Sequence, residues 1–219
     1  YAILYSGHPA KGLEAAVEVL RLLRVDEPRF SLQVYGGRRL WGESEGDILK
    51  EPGVHDHGLT GQRRLARRMQ ACGFSFNLQT IQESFGMAVI EAMRAGCIVL
   101  ASPVGAYPET VRHGDNGFLL PGDPAEAATQ AQAARLMADL VKRPEYCEAL
   151  RRSAEASPLD WKTIAAAWAG HWDWALGNTP GKAEPASSGS CPDCSADLLP
   201  LADGVHCTGC GRYTQVQPG

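Results

Sequence analysis

The sequence has no long apolar run and no surplus of positive charge. Its 219 residues carry 21 Lys and Arg against 25 Asp and Glu, which gives a formal net charge of −4. A helix that spans a bilayer needs roughly 18 or more consecutive apolar residues, so we expect no transmembrane segment. Proteins that bind nucleic acid generally display a basic surface, so nucleic acid is not an expected partner. The length allows one large domain or two small ones.

No signal-peptide pattern opens the sequence, and Tyr1 stands just before an apolar run typical of a core strand. We therefore expect a fragment of a longer protein. The seven cysteines fall into two groups. Cys72, Cys97 and Cys147 are scattered in apolar contexts and are predicted to be small core residues. This usage indicates a reducing compartment, so we expect a cytoplasmic protein, with peripheral attachment to a membrane left open.

Apolar patterning predicts strands that alternate with helices over short connections. The strands are expected over residues 2–5, 30–35, 74–78, 97–101 and 117–120. The helices are expected over residues 12–24, 60–72 with Thr60 as its cap, 84–95, 108–113 and 124–142. Residues 42–58 are rich in Gly, Glu, Asp and His and are expected to form an irregular loop. The alternation predicts an α/β fold of the Rossmann-like, doubly wound type, with a parallel sheet covered on both faces.

Ligands of such sheets bind at the carboxyl ends of the strands. Four features of the sequence follow predicted strands and are expected to converge there: the turn at Lys11, the Gly36-Gly37 pair, Glu83 and the loop at Gly105. The sequence therefore predicts one ligand site at this edge of the sheet.

The segment 83–91 reads Glu-Ser-Phe-Gly-Met-Ala-Val-Ile-Glu and holds two glutamates that stand eight residues apart. We expect its helix to begin near Ser84 as N-cap, with Glu83 in the loop that faces the helix start. The free N–H groups of a first helical turn attract phosphate, and Gly86 lets a ligand approach the backbone. The carboxylates of Glu83 and Glu91 can accept hydrogen bonds from hydroxyls. The pattern therefore favours a ligand with an anionic centre and many hydroxyls, such as a nucleotide sugar.

This segment resembles the glutamate-x7-glutamate signature of retaining glycosyltransferases of the GT-B fold, family 4 type. The similarity continues to Gly122 through a helix, a strand, a Gly-rich loop, a Pro-Glu helix and a Gly-Phe-Leu strand. Upstream, the run YSGHPAKGL at 5–13 is similar to the first strand and Lys-Gly turn of the family, and Asp160-Trp161 to its closing segment. The resemblance identifies residues 1–176 as the C-terminal, donor-binding half of such an enzyme.

The resemblance implies transfer of a sugar from a nucleotide-diphosphate sugar to an unknown acceptor, with retention of configuration. Lys11 and Glu83 would be catalytic: the lysine meets the charge of the departing diphosphate, and the glutamate holds hydroxyls of the donor sugar. The other donor-binding residues would be Phe85, Gly86, Met87 and, at the ribose, Glu91. No catalytic metal is implied, in keeping with the lack of an Asp-x-Asp cluster. The acceptor would be bound by an N-terminal partner domain, which is absent from residues 1–219.

One departure from the family pattern leaves an alternative open. Ser6 stands where the family often has an arginine that shares the diphosphate with the lysine; His8 or Arg38 could compensate. The competing hypothesis is a catalytically degenerate transferase domain that acts as a binding module. Another GT-B chemistry, such as a sugar-nucleotide epimerase or a phosphorylase, is a further alternative. The four arginines at 63, 64, 67 and 68 are interpreted as a solvated helix face.

A long helix is predicted over residues 159–176, with a stripe of tryptophans at helical spacing. We expect this stripe to pack into the core of the same domain. The alternatives are contact with the partner domain, as the resemblance implies, and association with a membrane.

The C-terminal segment is predicted to form a small zinc module. Residues 177–190 are small and polar and are expected to form a flexible linker. In residues 191–213, two Cys-x-x-Cys motifs supply Cys191, Cys194, Cys207 and Cys210, which complete a tetrahedral thiolate shell for a structural Zn²⁺. The segment resembles a zinc ribbon. Its acidic residues disfavour nucleic acid, so we expect contact with a protein partner or a purely structural role.

Overall fold

The computed structural model describes residues 1–44, 50–156, 161–177, 193–195, 198–201, 204–207 and 213–215. The chain divides into two compact units, Tyr1–Thr163 and Ile164–Gly219. The domain boundary that the sequence predicts, after residue 176, stays a prediction.

A six-stranded sheet, parallel throughout, forms the centre of the first unit. Its order is β3-β2-β1-β4-β5-β6, so the strand order reverses between β1 and β4. In doubly wound sheets the ligand crevice lies at this point, outside the carboxyl ends of the strands. The strands are β1 (Ala2–Gly7), β2 (Ser31–Gly36), β3 (Val54–Asp56), β4 (Phe74–Asn77), β5 (Ile98–Ala101) and β6 (Gly117–Leu119).

Six helices pack against the two faces of the sheet. They are α1 (Leu13–Asp26), α2 (Gln62–Met69), α3 (Met87–Arg94), α4 (Tyr107–Thr110), α5 (Ala127–Leu140) and α6 (Pro144–Glu155). A further helix, α7 (Trp161–Gly177), follows them in the chain. Two short 3₁₀ turns, Pro9–Lys11 and Arg38–Trp41, follow β1 and β2.

The side chains of β1 and β5 alternate between two buried clusters, as a sheet covered on both faces requires. On β1, Ile3 and Tyr5 pack in the cluster that contains α1 and α5, whereas Leu4 packs in the cluster that contains α3. The predicted parallel α/β architecture is therefore confirmed. Cys72, Cys97 and Cys147 are buried, as predicted.

Two predicted helix caps are wrong. α3 begins at Met87 rather than near Ser84, because its N-cap is Gly86 with φ 82°, a left-handed conformation that cannot continue a helix. α2 begins after Gly61, without a side-chain cap, so Thr60 does not cap it. Both helices start two or three residues later than the residue types suggest.

One strand of the six-stranded sheet and one of its covering helices were not predicted from the sequence. Strand β3 lies inside the expected loop and pairs with β2 at the edge of the sheet. An edge strand needs hydrogen bonds to only one neighbouring strand. Its sequence, Val-His-Asp, is too short and polar to indicate a strand. Helix α6 begins at Pro144, and a proline at the first helical position was the available signal.

Helix α7 contradicts the expectation of core packing. None of its residues is buried, and its tryptophans are exposed. Trp168 and Trp172 contact each other edge to face, with ring centroids 5.8 Å apart. Contact with a partner domain stays a prediction. No helix in the described ranges has both the length and the apolar character that crossing a bilayer demands.

The second unit contains a three-stranded antiparallel sheet of β7 (Leu198–Leu201), β8 (Gly204–Cys207) and β9 (Tyr213–Gln215). Cys194 lies in an exposed turn and Cys207 ends β8. Cys191 and Cys210 lie outside the described residues, as does the predicted linker apart from Gly177.

Candidate functional site

A cavity of about 260 Å³ opens where the carboxyl ends of β1 and β4 meet. The 3₁₀ turn after β1 brings Lys11 to it, the loop after β4 brings Gln79 and Glu83, and Tyr107 comes from the start of α4. We call it the switch-point cavity. It lies at the edge of the sheet where the fold predicts a ligand.

The cavity contains an ion pair between two residues that are 72 positions apart. Lys11 Nζ donates a hydrogen bond to Glu83 Oε2 over 2.7 Å, and the two side chains are 29% and 19% exposed. The turn can approach β4 because Gly12 has φ 91° and no side chain. A Cβ there would collide with the carbonyl oxygen of Leu78.

The backbone of Glu83 is held by the Gly-rich loop after β5. The N–H of Ala106 donates to the carbonyl oxygen of Glu83 over 2.8 Å, and the N–H of Gly105 donates to Gln82 Oε1 over 2.8 Å. A Cβ at position 105 would collide with that carbonyl oxygen and lie 2.5 Å from the nitrogen of Glu83. Glu83 is therefore fixed by backbone contacts that tolerate only glycine at 105.

Buried polar groups surround the carboxylate. Gln79 Nε2 donates to the Tyr107 hydroxyl over 3.0 Å and reaches Glu83 Oε2 at 3.5 Å. Burial, with the Glu83 charge as a smaller cause, raises the pKa of Tyr107, so its hydroxyl stays protonated. The cavity thus presents one cation, one anion and neutral polar groups, which suits a ligand that has both phosphate and hydroxyl groups.

The start of α3 lies beside Glu83. A Cβ on Gly86 would come within 2.7 Å of the Tyr107 ring and 3.7 Å of Glu83 Cγ. Phe85 and Met87, the neighbours of Gly86, are 43% and 53% exposed. The structure thus places the predicted residues 83 and 86 together, with 85 and 87 open to solvent.

Glu91 lies further along α3 and does not line the cavity. Gln62 Nε2, from α2, donates to Glu91 Oε1 over 2.7 Å. Burial raises the pKa of Glu91, and the hydrogen bond from Gln62 opposes this shift. The two glutamates of the signature therefore have separate environments.

The two residues considered as compensation for Ser6, His8 and Arg38, lie in different places. His8 is 4% exposed, lines the cavity, and stacks on Trp41 with ring centroids 3.7 Å apart. Arg38 is half exposed, donates to Glu43 Oε2 over 3.1 Å, and does not line the cavity. Only His8 is positioned to meet a ligand bound beside Lys11.

Several cavity residues were not identified from the sequence, among them Trp41, Gln79 and Tyr107. Gln79 follows β4, and the rule that ligands bind beyond strand ends could have found it. Tyr107 stands just before the short helix expected over residues 108–113, and nothing in the sequence singled it out. Trp41 had no signal, because its position depends on the 3₁₀ turn after β2.

The arginines at 63, 64, 67 and 68 are exposed on α2, as expected, and line a separate surface cleft.

The strand order and the switch-point cavity define a Rossmann-like α/β domain with a crevice for a ligand. Residues 1–139 match the family model Glycosyl transferases group 1. The chain therefore belongs to this family of glycosyltransferases of the GT-B type.

Among curated relatives, the D-inositol 3-phosphate glycosyltransferase of Streptomyces griseus is 35% identical over 125 residues, which are 56% of this chain and 25% of that protein. The chain thus spans about a quarter of the length of this relative. Among solved structures, Anabaena HepE in complex with UDP-glucose has a TM-score of 0.64 at 22% identity, over 80% of this chain and 49% of that one. The C-terminal domain of the glycosyl transferase group 1 protein LpcC from Francisella tularensis has a TM-score of 0.54 at 17% identity, over 77% of this chain and 86% of that one. These likenesses support the GT-B half-fold.

Proposed function

We propose that this chain is the donor-binding domain of a retaining glycosyltransferase, which transfers a sugar from a nucleotide-diphosphate sugar to an acceptor that is not yet identified. The observation that carries the proposal is the Lys11–Glu83 ion pair in the switch-point cavity. Family membership supports it, and so does the likeness to HepE, whose structure contains UDP-glucose.

Each partner of the ion pair has a distinct role in this reaction. Cleavage of the bond between the sugar and the diphosphate builds negative charge on the departing phosphate oxygen. A fixed ammonium stabilises that charge best when it is already in place and partly shielded from water, as Lys11 is. The Glu83 carboxylate accepts hydrogen bonds from the hydroxyls of the sugar.

The donor extends from the cavity toward the start of α3. In the proposal, Gly86 leaves room for the ligand, Phe85 and Met87 contact it, and Glu91 accepts hydrogen bonds from the ribose hydroxyls. Gln62 would have to share the Glu91 carboxylate with the ribose. The acceptor-binding partner domain and the cytoplasmic location stay predictions.

A binding module without catalysis is the second candidate, and Ser6 is the residue that favours it. The ion pair speaks against it, because a domain freed from catalysis has no need to keep a half-buried lysine beside a glutamate.

We expect the full-length protein to consume one member of a panel of UDP-, GDP- and ADP-sugars. Glu83→Gln should lower turnover about 100-fold, because the neutral amide accepts weaker hydrogen bonds from the sugar than a carboxylate does. The measurement is release of nucleoside diphosphate, with the anomeric configuration of the product read by NMR.

Glu14→Gln is the matched control, since Glu14 is exposed in the first turn of α1, and it should turn over as wild type does. A product of inverted configuration would contradict retention. If the wild-type protein binds no nucleotide at millimolar concentration, the binding-module hypothesis replaces the transferase.

We also propose that Cys191, Cys194, Cys207 and Cys210 hold a structural Zn²⁺ and that the resulting ribbon contacts a protein partner. The three-stranded antiparallel sheet that includes Cys207 supports this proposal. Domains shorter than about 40 residues usually need a metal or disulfides to fold, so metal binding would supply much of the folding free energy of residues 191–213.

Purified protein is expected to contain about one zinc per chain, because four thiolates complete the tetrahedral shell. Cys207→Ser should reduce the zinc content several-fold as measured by elemental mass spectrometry. His206→Asn, a change next to the proposed ligand, should leave the content unchanged. Equal zinc in the wild-type and Cys207→Ser proteins would refute the site.

A further inference from the structure

Two buried side-chain atoms in the described part of the chain have no hydrogen-bond partner, and both belong to residues that line the switch-point cavity. They are Nε2 of His8 and Oε1 of Gln79, whose residues are 4% and 3% exposed. An unsatisfied buried polar atom is destabilising, because it has lost its hydrogen bonds to water and gained none in the protein. Two such atoms at one cavity indicate that a bound ligand supplies their missing hydrogen-bond partners.

The hydrogen bonds around His8 define the unpartnered atom as a donor. The N–H of Ala10 donates to Nδ1 over 3.2 Å, so Nδ1 is an acceptor and the ring proton lies on Nε2. The ring is held in place by stacking on Trp41, with 7° between the planes. The Tyr5 hydroxyl donates to the His8 carbonyl oxygen over 2.6 Å and holds the backbone. His8 thus presents a fixed N–H group to the cavity.

The acidic group nearest to this donor does not satisfy it. Glu43 Oε1 lies 3.5 Å from His8 Nε2 without forming a hydrogen bond, and the Glu43 side chain is 44% exposed. Its other oxygen accepts from Arg38. Glu43 can therefore turn toward solvent when a ligand anion takes its place beside His8.

The contacts of Gln79 define the other atom as an acceptor. Its Nε2 donates to the Tyr107 hydroxyl and approaches the Glu83 carboxylate, which fixes the amide with Nε2 on that side. Its backbone N–H donates to Ser102 Oγ over 2.9 Å. Oε1 therefore requires a donor, and a ligand hydroxyl is one.

We propose that His8 Nε2–H donates to the diphosphate of the nucleotide sugar and that Gln79 Oε1 accepts a hydrogen bond from one hydroxyl of the donor sugar. His8 lies on the same turn as Lys11, so it meets the same part of the ligand. Gln79 lies beside Glu83, which holds the sugar. The assignment rests on the proposed function. It also accounts for Ser6, because His8 supplies the second diphosphate contact from two positions further along.

Titration calorimetry with the full-length protein separates the two contacts. His8→Asn keeps an acceptor near Nδ1 but removes the Nε2 donor. It should lower the affinity for a nucleoside diphosphate and for its nucleotide sugar by the same factor, about tenfold, as expected for loss of a hydrogen bond to a charged group. His8→Gln, whose amide nitrogen reaches the Nε2 position, should recover part of this loss. His55→Asn, on the exposed part of β3, is the matched control and should bind as wild type does.

For Gln79 the readout is the sugar alone. Gln79→Met should lower the affinity for the nucleotide sugar about tenfold and leave the affinity for the nucleoside diphosphate within about twofold of wild type. The same hydrogen bond can be removed from the ligand by using nucleotide sugars that lack one hydroxyl. Loss of one particular hydroxyl should lower the affinity of the wild-type protein but not that of Gln79→Met, because the variant has already lost that hydrogen bond. If Gln79→Met merely disturbed the structure, its affinity for every nucleotide deoxy-sugar would fall by the same factor. Thermal melting confirms that each variant is folded.

The possible failures can be told apart. If the wild-type protein binds no nucleotide, the proposed function itself is overturned. If it binds nucleotide sugar and both His8→Asn and Gln79→Met bind as tightly, only the present inference is overturned. If Gln79→Met weakens the nucleoside diphosphate as much as the nucleotide sugar, the assignment of Gln79 to the sugar is wrong.

Discussion

Lys11→Ala is expected to lower the rate of sugar transfer about 100- to 1,000-fold, the size of effect seen when one preorganised charge-stabilising group is removed. The ammonium is the cation closest to Glu83 in the described part of the chain, and it lies where the departing diphosphate would bind. The substitution removes that charge and leaves the Glu83 carboxylate, 19% exposed, without its cation. The loss should therefore fall on turnover more than on the affinity for the donor. Steady-state kinetics with the preferred nucleotide sugar measures both.

Lys142→Ala is the matched control for this prediction. Lys142 also pairs with a carboxylate, Asp139, at 3.6 Å, but its side chain is 73% exposed and does not line the switch-point cavity. It should retain wild-type turnover. If Lys11→Ala keeps more than about a tenth of the activity, the role of Lys11 at the leaving group is wrong.

Gly105→Ala is expected to lower the free energy of unfolding by about 3 kcal/mol and to abolish donor binding. Gly105 has φ 53°, and a Cβ there would collide with the backbone of Glu83. A left-handed alanine alone costs about 1–2 kcal/mol. The collision adds to this cost and displaces the glutamate that the loop holds. Denaturant unfolding gives the stability, and calorimetry gives the affinity.

Gly58→Ala separates strain from collision. Gly58 has φ 59°, nearly the same backbone conformation, but a Cβ there would meet nothing within 4 Å. We expect a loss of about 1 kcal/mol and normal donor binding. Equal losses in the two variants would show that the contact between Gly105 and Glu83 has no importance of its own.

The sequence was sufficient for five of the six strands of the sheet and for the convergence of Lys11 and Glu83 on one edge. Buried parallel strands read as short apolar runs, and the topology rule then brings Lys11 and Glu83 to the same place. The start of α3 was mispredicted because Ser84 has the chemistry of a cap, whereas the left-handed backbone of Gly86 determines where the helix begins. Residue type indicates what a position can do, and φ decides whether the helix forms there.

Other features depend on information that periodicity does not carry. A tryptophan stripe has the same spacing whether it meets its own core or a different surface, and on α7 it is exposed. The positions of Gln79 and Tyr107 depend on side-chain rotamers, and the position of Trp41 depends on a 3₁₀ turn within an otherwise irregular stretch. These contacts become visible only when the chain is folded.

The Lys11–Glu83 pair has a consequence for discrimination among small molecules. In the ion pair each charge is compensated by the other. Free phosphate could bind Lys11 only by leaving the mostly buried Glu83 carboxylate without its cation, which is unfavourable. A sugar without a phosphate would compete with Lys11 for Glu83 and offer the Lys11 ammonium no anion in return. A compound that offers an anion and hydroxyls in one molecule compensates both groups at once. If the proposed function holds, the domain would therefore favour a molecule that carries both chemical groups over metabolites that carry only one of them.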